Sequence, residues 1–395
     1  MLLLLALLAS FPPLATDMYL PAIPLLEQSW HQPLTVVNLT LVGFFVSYCF
    51  FLLVYGPVSD RFGRRRPLLA GIALFILACL FCSLSGSVSA LIASRVLQGA
   101  GAAAAAALAL AISKDVYHHE ERARILAWIG VIMALAPAIA PIFGSWIMLW
   151  FSWRWIFIAQ AAVAVIAFIG VLRMPETLQV TTSTGFFKTA GIYLHLFRNR
   201  RYLGLALMVS LVMLPHFAFI AGSADIYISH MGLTEQSFGY YFAINALAFM
   251  AGSLCCTRLL PRFGSWWVMT VSFAGLLCGG IVMLAGIFPG PWGLALPMSI
   301  GTFSMGLGRP PSNNLILEQV DQHAGAASSM LVFLFFLVGA FSMWLISLDW
   351  HDKVGVIGML ASGVGGLILV TWLLLPPRLT GKQVEKAAEI AEECG

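Results

Sequence analysis

The sequence predicts an all-α membrane protein of twelve transmembrane helices in two pseudo-symmetric six-helix bundles. Three observations carry this. Of 395 residues 60% are hydrophobic and 10% are charged, with a mean hydropathy of +0.92. Soluble domains run at about 45–50% apolar and about 25% charged, so this composition suits lipid. Apolar runs of about 20 residues, enough to cross a bilayer, recur along the whole chain. Lys and Arg gather on alternate loops, as they do where loops alternate between two sides of a membrane.

The twelve spans are roughly 2–26, 34–57, 67–86, 88–112, 124–149, 154–174, 202–228, 236–259, 265–287, 292–316, 324–347 and 354–375. Met1 to Ala15 is as apolar as a signal peptide. It lacks a basic leading segment and its pattern runs on through Asp17 to Ile23, so it reads as the start of span 1. The polar stretch 176–201, with Arg198, Arg200 and Arg201, is the expected cytoplasmic linker between bundles at 1–175 and 202–377. A charged cytoplasmic tail follows at 378–395. With both termini inside, the inner loops and tail hold 17 Lys and Arg, the outer loops hold only Arg154 and Lys353, and Arg95 and Arg309 lie within spans. Arg61-Phe62-Gly63 after span 2 recurs as Arg262-Phe263-Gly264 after span 8, which points to a duplicated half.

Several function classes drop out. The net charge of +4 is too small to suggest a nucleic-acid partner. Cys79 and Cys82 form C-x-x-C inside LFILACLFCSL and read as small helix residues. His118-His119-Glu120-Glu121 lies in a solvated loop where adjacent side chains diverge, so no metal is expected. The chain has no G-x4-G-K-[ST] phosphate loop and no nucleophile or metal cluster in its spans, so no enzyme is expected.

The stretch Leu14–Pro24, LATDMYLPAIP, places one acid in a segment otherwise suited to lipid. An Asp at a helix centre costs about 2.5–3.5 kcal/mol to insert, so it marks a function. Pro21 cannot donate to the carbonyl of Asp17, nor Pro24 to that of Leu20, which predicts a bendable span or a packing kink. In span 4, Arg95 shares a face with Gln98, Gly99 and Ala102. Counting about 1.5 Å per residue puts Asp17 and Arg95 at similar depth, about 10–12 Å from the outer face. Asp17 is therefore the expected proton site and Arg95 its tuner. The competing reading has Arg95 bonded to backbone carbonyls of a neighbouring helix.

The loop GPVSDRFGRRRP, Gly56 to Pro67, combines two turn-forming glycines, an acid and four arginines. It resembles the signature loop of the major facilitator superfamily, G-x-x-x-D-R-x-G-R-[RK], with Gly56, Asp60, Arg61, Gly63, Arg64 and Arg65 in place. Arg65 and Arg66 also fit a plain anchor on the inner face. Arg95-x-x-Gln98-Gly99 resembles the family's second motif. TDMYLPAIP resembles span 1 of its Bcr/CflA branch of twelve-span drug/proton antiporters, as do FSWRWIF (151–157), RMPETL (173–178) and FGYYFAIN (238–245). The resemblance implies a cytoplasmic gate at the 56–65 loop, Asp17 on a central cavity, and Arg95 in the proton machinery. The family's antiporter motif, G-x8-G-x3-G-P-x2-G-G, becomes Ala127, Ala136, Ala140, Pro141, Gly144 and Ser145 in span 5. Its small-residue groove is kept, but the loss of glycines weakens the implication of export.

What the resemblance implies is a proton-coupled carrier in a bacterial inner membrane, exporting amphipathic molecules of phenicol or bicyclomycin type by alternating access. The alternative is proton-coupled uptake of a nutrient such as a nucleoside. Its partners would be the small molecule, protons and the bilayer. It would need no cofactor beyond the proton gradient and would act as a monomer. Tyr19, Asn38, Tyr48, Gln98, Tyr241 and Asn245 are candidate cavity residues, as are His216, Asp225 and Arg309, which depart from the branch. Arg309 either enters the cavity or snorkels to the inner face. His216 is a core histidine or a proton relay, and Asp225 lines the cavity or is solvated near an outer loop.

Overall fold

A computed structural model describes residues 1–117, 119–178, 186–320 and 324–374. His118, part of the linker and the 378–395 tail lie outside the described residues. Span 1 is built in pieces: Leu2–Ala9, Phe11–Asp17, a 3-10 turn at Leu20–Ala22, and Ile23–Trp30. The break falls where Pro21 and Pro24 remove donors from the ladder. The next spans are Leu34–Phe62, Arg65–Leu84, Val88–Val116, His119–Trp150 and Arg154–Leu172. After a helix at Phe186–Arg198, span 7 runs Arg200–His230 and ends in a π-helical turn from Asp225.

Among the described residues, nine helical stretches are long and apolar enough to cross a membrane. One of them, Glu235–Leu284, holds spans 8 and 9, joined at Gly264. Span 5 and span 10, Trp292–Leu317, complete the twelve, followed by Ala324–Ile346 and Lys353–Leu374. Span 10 is less apolar because it carries GLGRPPSNN, with Arg309 and two prolines in its last third.

The repeat seen in the sequence is a repeat in backbone. Gly63 has φ 85° and ψ 164°, and Gly264 has φ 74° and ψ 166°. That region is essentially closed to other residues. Span 4 meets span 2 where Gly99 lies against the Phe44 carbonyl, and span 10 meets span 8 where Gly306 lies against the Phe249 carbonyl; neither contact leaves room for a Cβ.

One apolar core runs through both bundles. Span 2 packs on span 11, and span 5 on span 8. We call the membrane face bearing the 59–66 loop the basic face. Among the described residues, hydrogen bonds between spans of opposite bundles lie toward the other face. Thr35 donates to the Ser347 carbonyl (2.7 Å), Asn38 Nδ2 to Ser347 Oγ (2.7 Å) and the Ala221 carbonyl (3.2 Å), and Gln236 to the Ser145 carbonyl (3.3 Å).

Candidate functional site

Asp17 is the last residue of the Phe11–Asp17 helix and is 5% exposed. Thr16 Oγ1 lies 3.0 Å from Asp17 Oδ1 and 2.9 Å from the Pro12 carbonyl. Span 5 touches this break: Gly144 abuts the Met18 carbonyl too closely for any Cβ. Of the residues matched to the antiporter motif, Gly144 thus packs directly behind the acid. Ala140 is fully buried and Ala136 nearly so. Pro141 sits inside the helix.

Arg95 is fully buried, but it does not pair with Asp17 as the depth argument expected. No ion pair joins them, and the guanidinium takes acceptors elsewhere: the Ala15 carbonyl at 2.8 Å, Gln98 Oε1 at 2.5 Å and the Thr40 carbonyl at 3.4 Å. It also lies over the rings of Phe44 (4.5 Å) and Tyr19 (5.0 Å). Equal depth gave no azimuth. Arg95 reaches the same stretch of span 1 through the backbone two residues before the acid. Tyr19 and Gln98, candidates for the cavity, belong to this fully buried network instead. Tyr19 is hydrogen-bonded to Thr40 (3.1 Å), and Gln98 donates to Gln160 Oε1 (2.8 Å) and Cys79 Sγ (3.1 Å). Gln160 then donates to the Leu14 carbonyl (3.1 Å). The sequence reading passed over Gln160, although a lone amide in apolar span 6 was its signal.

Asn38 is a cross-bundle hydrogen-bonding residue rather than a free cavity group. Tyr48 lies mid-span against Phe336 (5.0 Å), which joins Phe45 and Phe217 in an aromatic cluster between the bundles. His216 stands beside Phe217, and its Nδ1 is buried without a partner. The Arg309 guanidinium lies over Phe335 (5.6 Å) and Phe249 (6.0 Å), which are mid-span residues, so it does not snorkel to the basic face. Tyr241 stacks on Tyr227 (5.4 Å), and Asn245 bonds its own helix and Ser299.

Asp225 is neither solvated nor open to a cavity. It is 3% exposed, pairs with Lys353 at the start of span 12 (2.5 Å), and lies 3.5 Å from His230 Nδ1. Sequence counting had placed Lys353 in a loop, and nothing in the local pattern tied it to a residue 128 positions away.

The described bonds of the 56–65 loop go to the first bundle and to Glu176, the first residue of the linker. Arg64 binds Asp60 (2.6 Å), Ser59 (2.6 Å) and Asp115 at the end of span 4 (2.8 Å). Arg65 donates to the Leu172 carbonyl. Arg61 lies over Phe62 (5.2 Å), and Gly56 has open space around it. Glu176 accepts from the backbone N–H groups of Arg64, Arg65, Thr177 and Leu178 at 2.8–3.1 Å and so caps span 3 from 112 residues away. Slight burial raises its pKa, but these four donors outweigh that and hold the carboxyl below its ordinary value. A Cβ on Gly63 would stand 2.5 Å from Glu176 Oε2. Glu176 lay inside RMPETL, but its capping role had no local signal.

The family profile of the Major Facilitator Superfamily matches residues 5–343. An uncharacterized MFS-type transporter, YdgK of Bacillus subtilis, is 31% identical over 380 residues, covering 92% of this chain and 93% of the relative. A bicyclomycin resistance protein homolog of Haemophilus influenzae is 28% identical, with 86% of each chain covered. Among solved structures, the xylose transporter XylE from E. coli, in a partially occluded inward-open conformation, superposes with a TM-score of 0.75. It covers 95% of this chain and 97% of its own at 14% identity, a likeness of fold.

Proposed function

Because the chain belongs to the Major Facilitator Superfamily, we propose that it is a proton-driven antiporter that exports amphipathic small molecules. The basic face is the cytoplasmic face of a bacterial inner membrane, both termini lie there, and the chain works as a monomer with no cofactor beyond the proton gradient. The reading rests on one observation above the rest: Asp17 is a buried acid at a helix break, with a hydroxyl partner and no cation. An acid without a counter-ion in an apolar site can be held as the neutral form, and opening the site to water favours the charged form. Two bundles that tilt about the aromatic cluster would expose Asp17 to each side in turn.

Cargo and proton exchange if the cavity holds one at a time. Arg95, tied to the Ala15 carbonyl, keeps the stretch before Asp17 in place without neutralising the acid. The bicyclomycin-resistance relative and the Gly144 contact behind Asp17 favour export over uptake. The test is proton release from solubilised protein in weak buffer on adding bicyclomycin or chloramphenicol. Wild type acidifies the medium, and Asp17→Asn binds the compound without acidifying it. Equal release from both proteins would remove Asp17 from the mechanism.

A further inference from the structure

Arg95 and Asp225 are strongly buried within the described spans and have partners; Arg309, which is partly exposed, differs from them. Arg95 has three oxygen acceptors and Asp225 has an ammonium group. The Arg309 guanidinium has no hydrogen bond or ion pair among the described residues; it has only the rings of Phe335 and Phe249. A guanidinium in a membrane protein's interior is costly unless a charge or carbonyls meet it, and two rings at these distances offset only part of that.

Its position is central. Phe249, Phe335, Tyr48 and His216 lie near the middles of spans 8, 11, 2 and 7. Arg309 is within electrostatic reach of Tyr48, in the first bundle, and of His216. The cation therefore faces the seam where the bundles meet. Near it, His216 Nδ1 and Asn313 Oδ1, one turn further along span 10, are buried without partners. A small cavity lined by Met213, Met305, Ser312 and Phe335 borders Arg309. The equivalent glycine contacts of spans 4 and 10 make Phe249 the counterpart of Phe44. Each bundle thus sets one arginine over the equivalent ring, and only the second has no oxygen acceptor among the described residues.

We propose that Arg309 binds the anionic group of the cargo, and that the cargo class is an amphipathic aromatic monocarboxylate. A guanidinium presents paired N–H donors that match a carboxylate's two oxygens. The neighbouring rings suit a flat apolar body. One cation among rings balances one negative charge, which disfavours a phosphate dianion. Outward movement of an anion also runs with a potential negative inside, so this cargo adds an electrical drive to the proton drive.

The proposal rests on the carrier reading above, and calorimetry on the solubilised full chain separates the two. The probes are 2-naphthoate and its uncharged methyl ester. Wild type binds the acid more tightly than the ester, by on the order of tenfold or more, as a charged hydrogen-bonded pair requires. Arg309→Gln loses that preference and keeps the ester affinity within about threefold. Arg309→Lys keeps part of the preference, since charge remains without the fork. Asp17→Asn keeps it in full while losing proton release.

A wild type that does not prefer the acid overturns the proposal without any variant. So does an Arg309→Gln protein that keeps the preference, or one that weakens both probes equally, as a purely structural arginine would. Asp17-dependent proton release with bicyclomycin, but no preference for naphthoate, sinks the anion subsite and leaves the antiporter standing. An Arg309-dependent preference with no proton release for any compound leaves the subsite standing and sinks the coupling.

Discussion

Thr16 has one hydroxyl hydrogen, and its two nearest acceptors are the Pro12 carbonyl and the Asp17 carboxyl, with the Pro13 carbonyl further off at 3.5 Å. When Asp17 is ionised, the hydrogen serves the carboxylate. When Asp17 is protonated, the acid donates to Thr16 and the hydroxyl turns to Pro12. Both protonation states are therefore satisfied without moving a helix, as an acid that loads and unloads within a buried site requires. Gly144 sets the position of this arrangement from behind, against the Met18 carbonyl. A methyl there must push the turn after Asp17 aside, an overpacking of about 1–3 kcal/mol. We expect Gly144→Ala to lower the melting temperature and reduce proton-coupled transport. Gly204→Ala, where nothing lies within 4 Å, should leave both unchanged. Equal effects from the two variants would show that Gly144 is a generic helix glycine.

At the level of the helices, much was legible in the sequence. Apolar runs located the spans, and Pro21 and Pro24 located the break in the first. Arg61-Phe62-Gly63 and its repeat marked two turns that proved alike in φ and ψ. Rotation about each helix axis was not legible. Asp17 and Arg95 share a depth and do not touch, while Gln160 and Lys353 became partners of residues 62 and 128 positions away. Periodicity finds a face but not the face opposite it. Glu176 is the clearest case, since a carboxylate from beyond span 6 caps span 3. Its pKa is below the ordinary 4.5 in the folded chain. The stabilisation is complete above 4.5 and is lost as pH falls through the lower folded value. As pH is lowered from about 5, the wild-type melting temperature should therefore fall more steeply than that of Glu176→Gln. Parallel curves would mean that the cap contributes nothing to folding.

Over the whole molecule, two halves with matching backbones are fastened unequally. Away from the basic face, three hydrogen bonds from Thr35 and Asn38 tie span 2 to spans 7 and 11. On the basic face, the described bonds of Arg64 and Glu176 join the first bundle and the start of the linker and do not reach the second bundle. A carrier must break one set of cross-bundle contacts to make the other, so the Ser347 seam is one arm of a two-state balance. Each hydrogen bond there contributes about 0.5–1.5 kcal/mol net. Removing the side-chain donors with Thr35→Ala and Asn38→Ala together should shift the balance toward opening on that face by about tenfold or more. Spin labels at Gln32 and Trp350, both exposed on that face, would read it as growth of a longer-distance population. Under the antiport scheme the double variant should also let protons reach Asp17 more readily from that face and weaken the coupling of proton entry to cargo exit. An unchanged distance distribution would mean that the aromatic cluster of Phe45, Phe217 and Phe336, not the polar seam, holds this face shut.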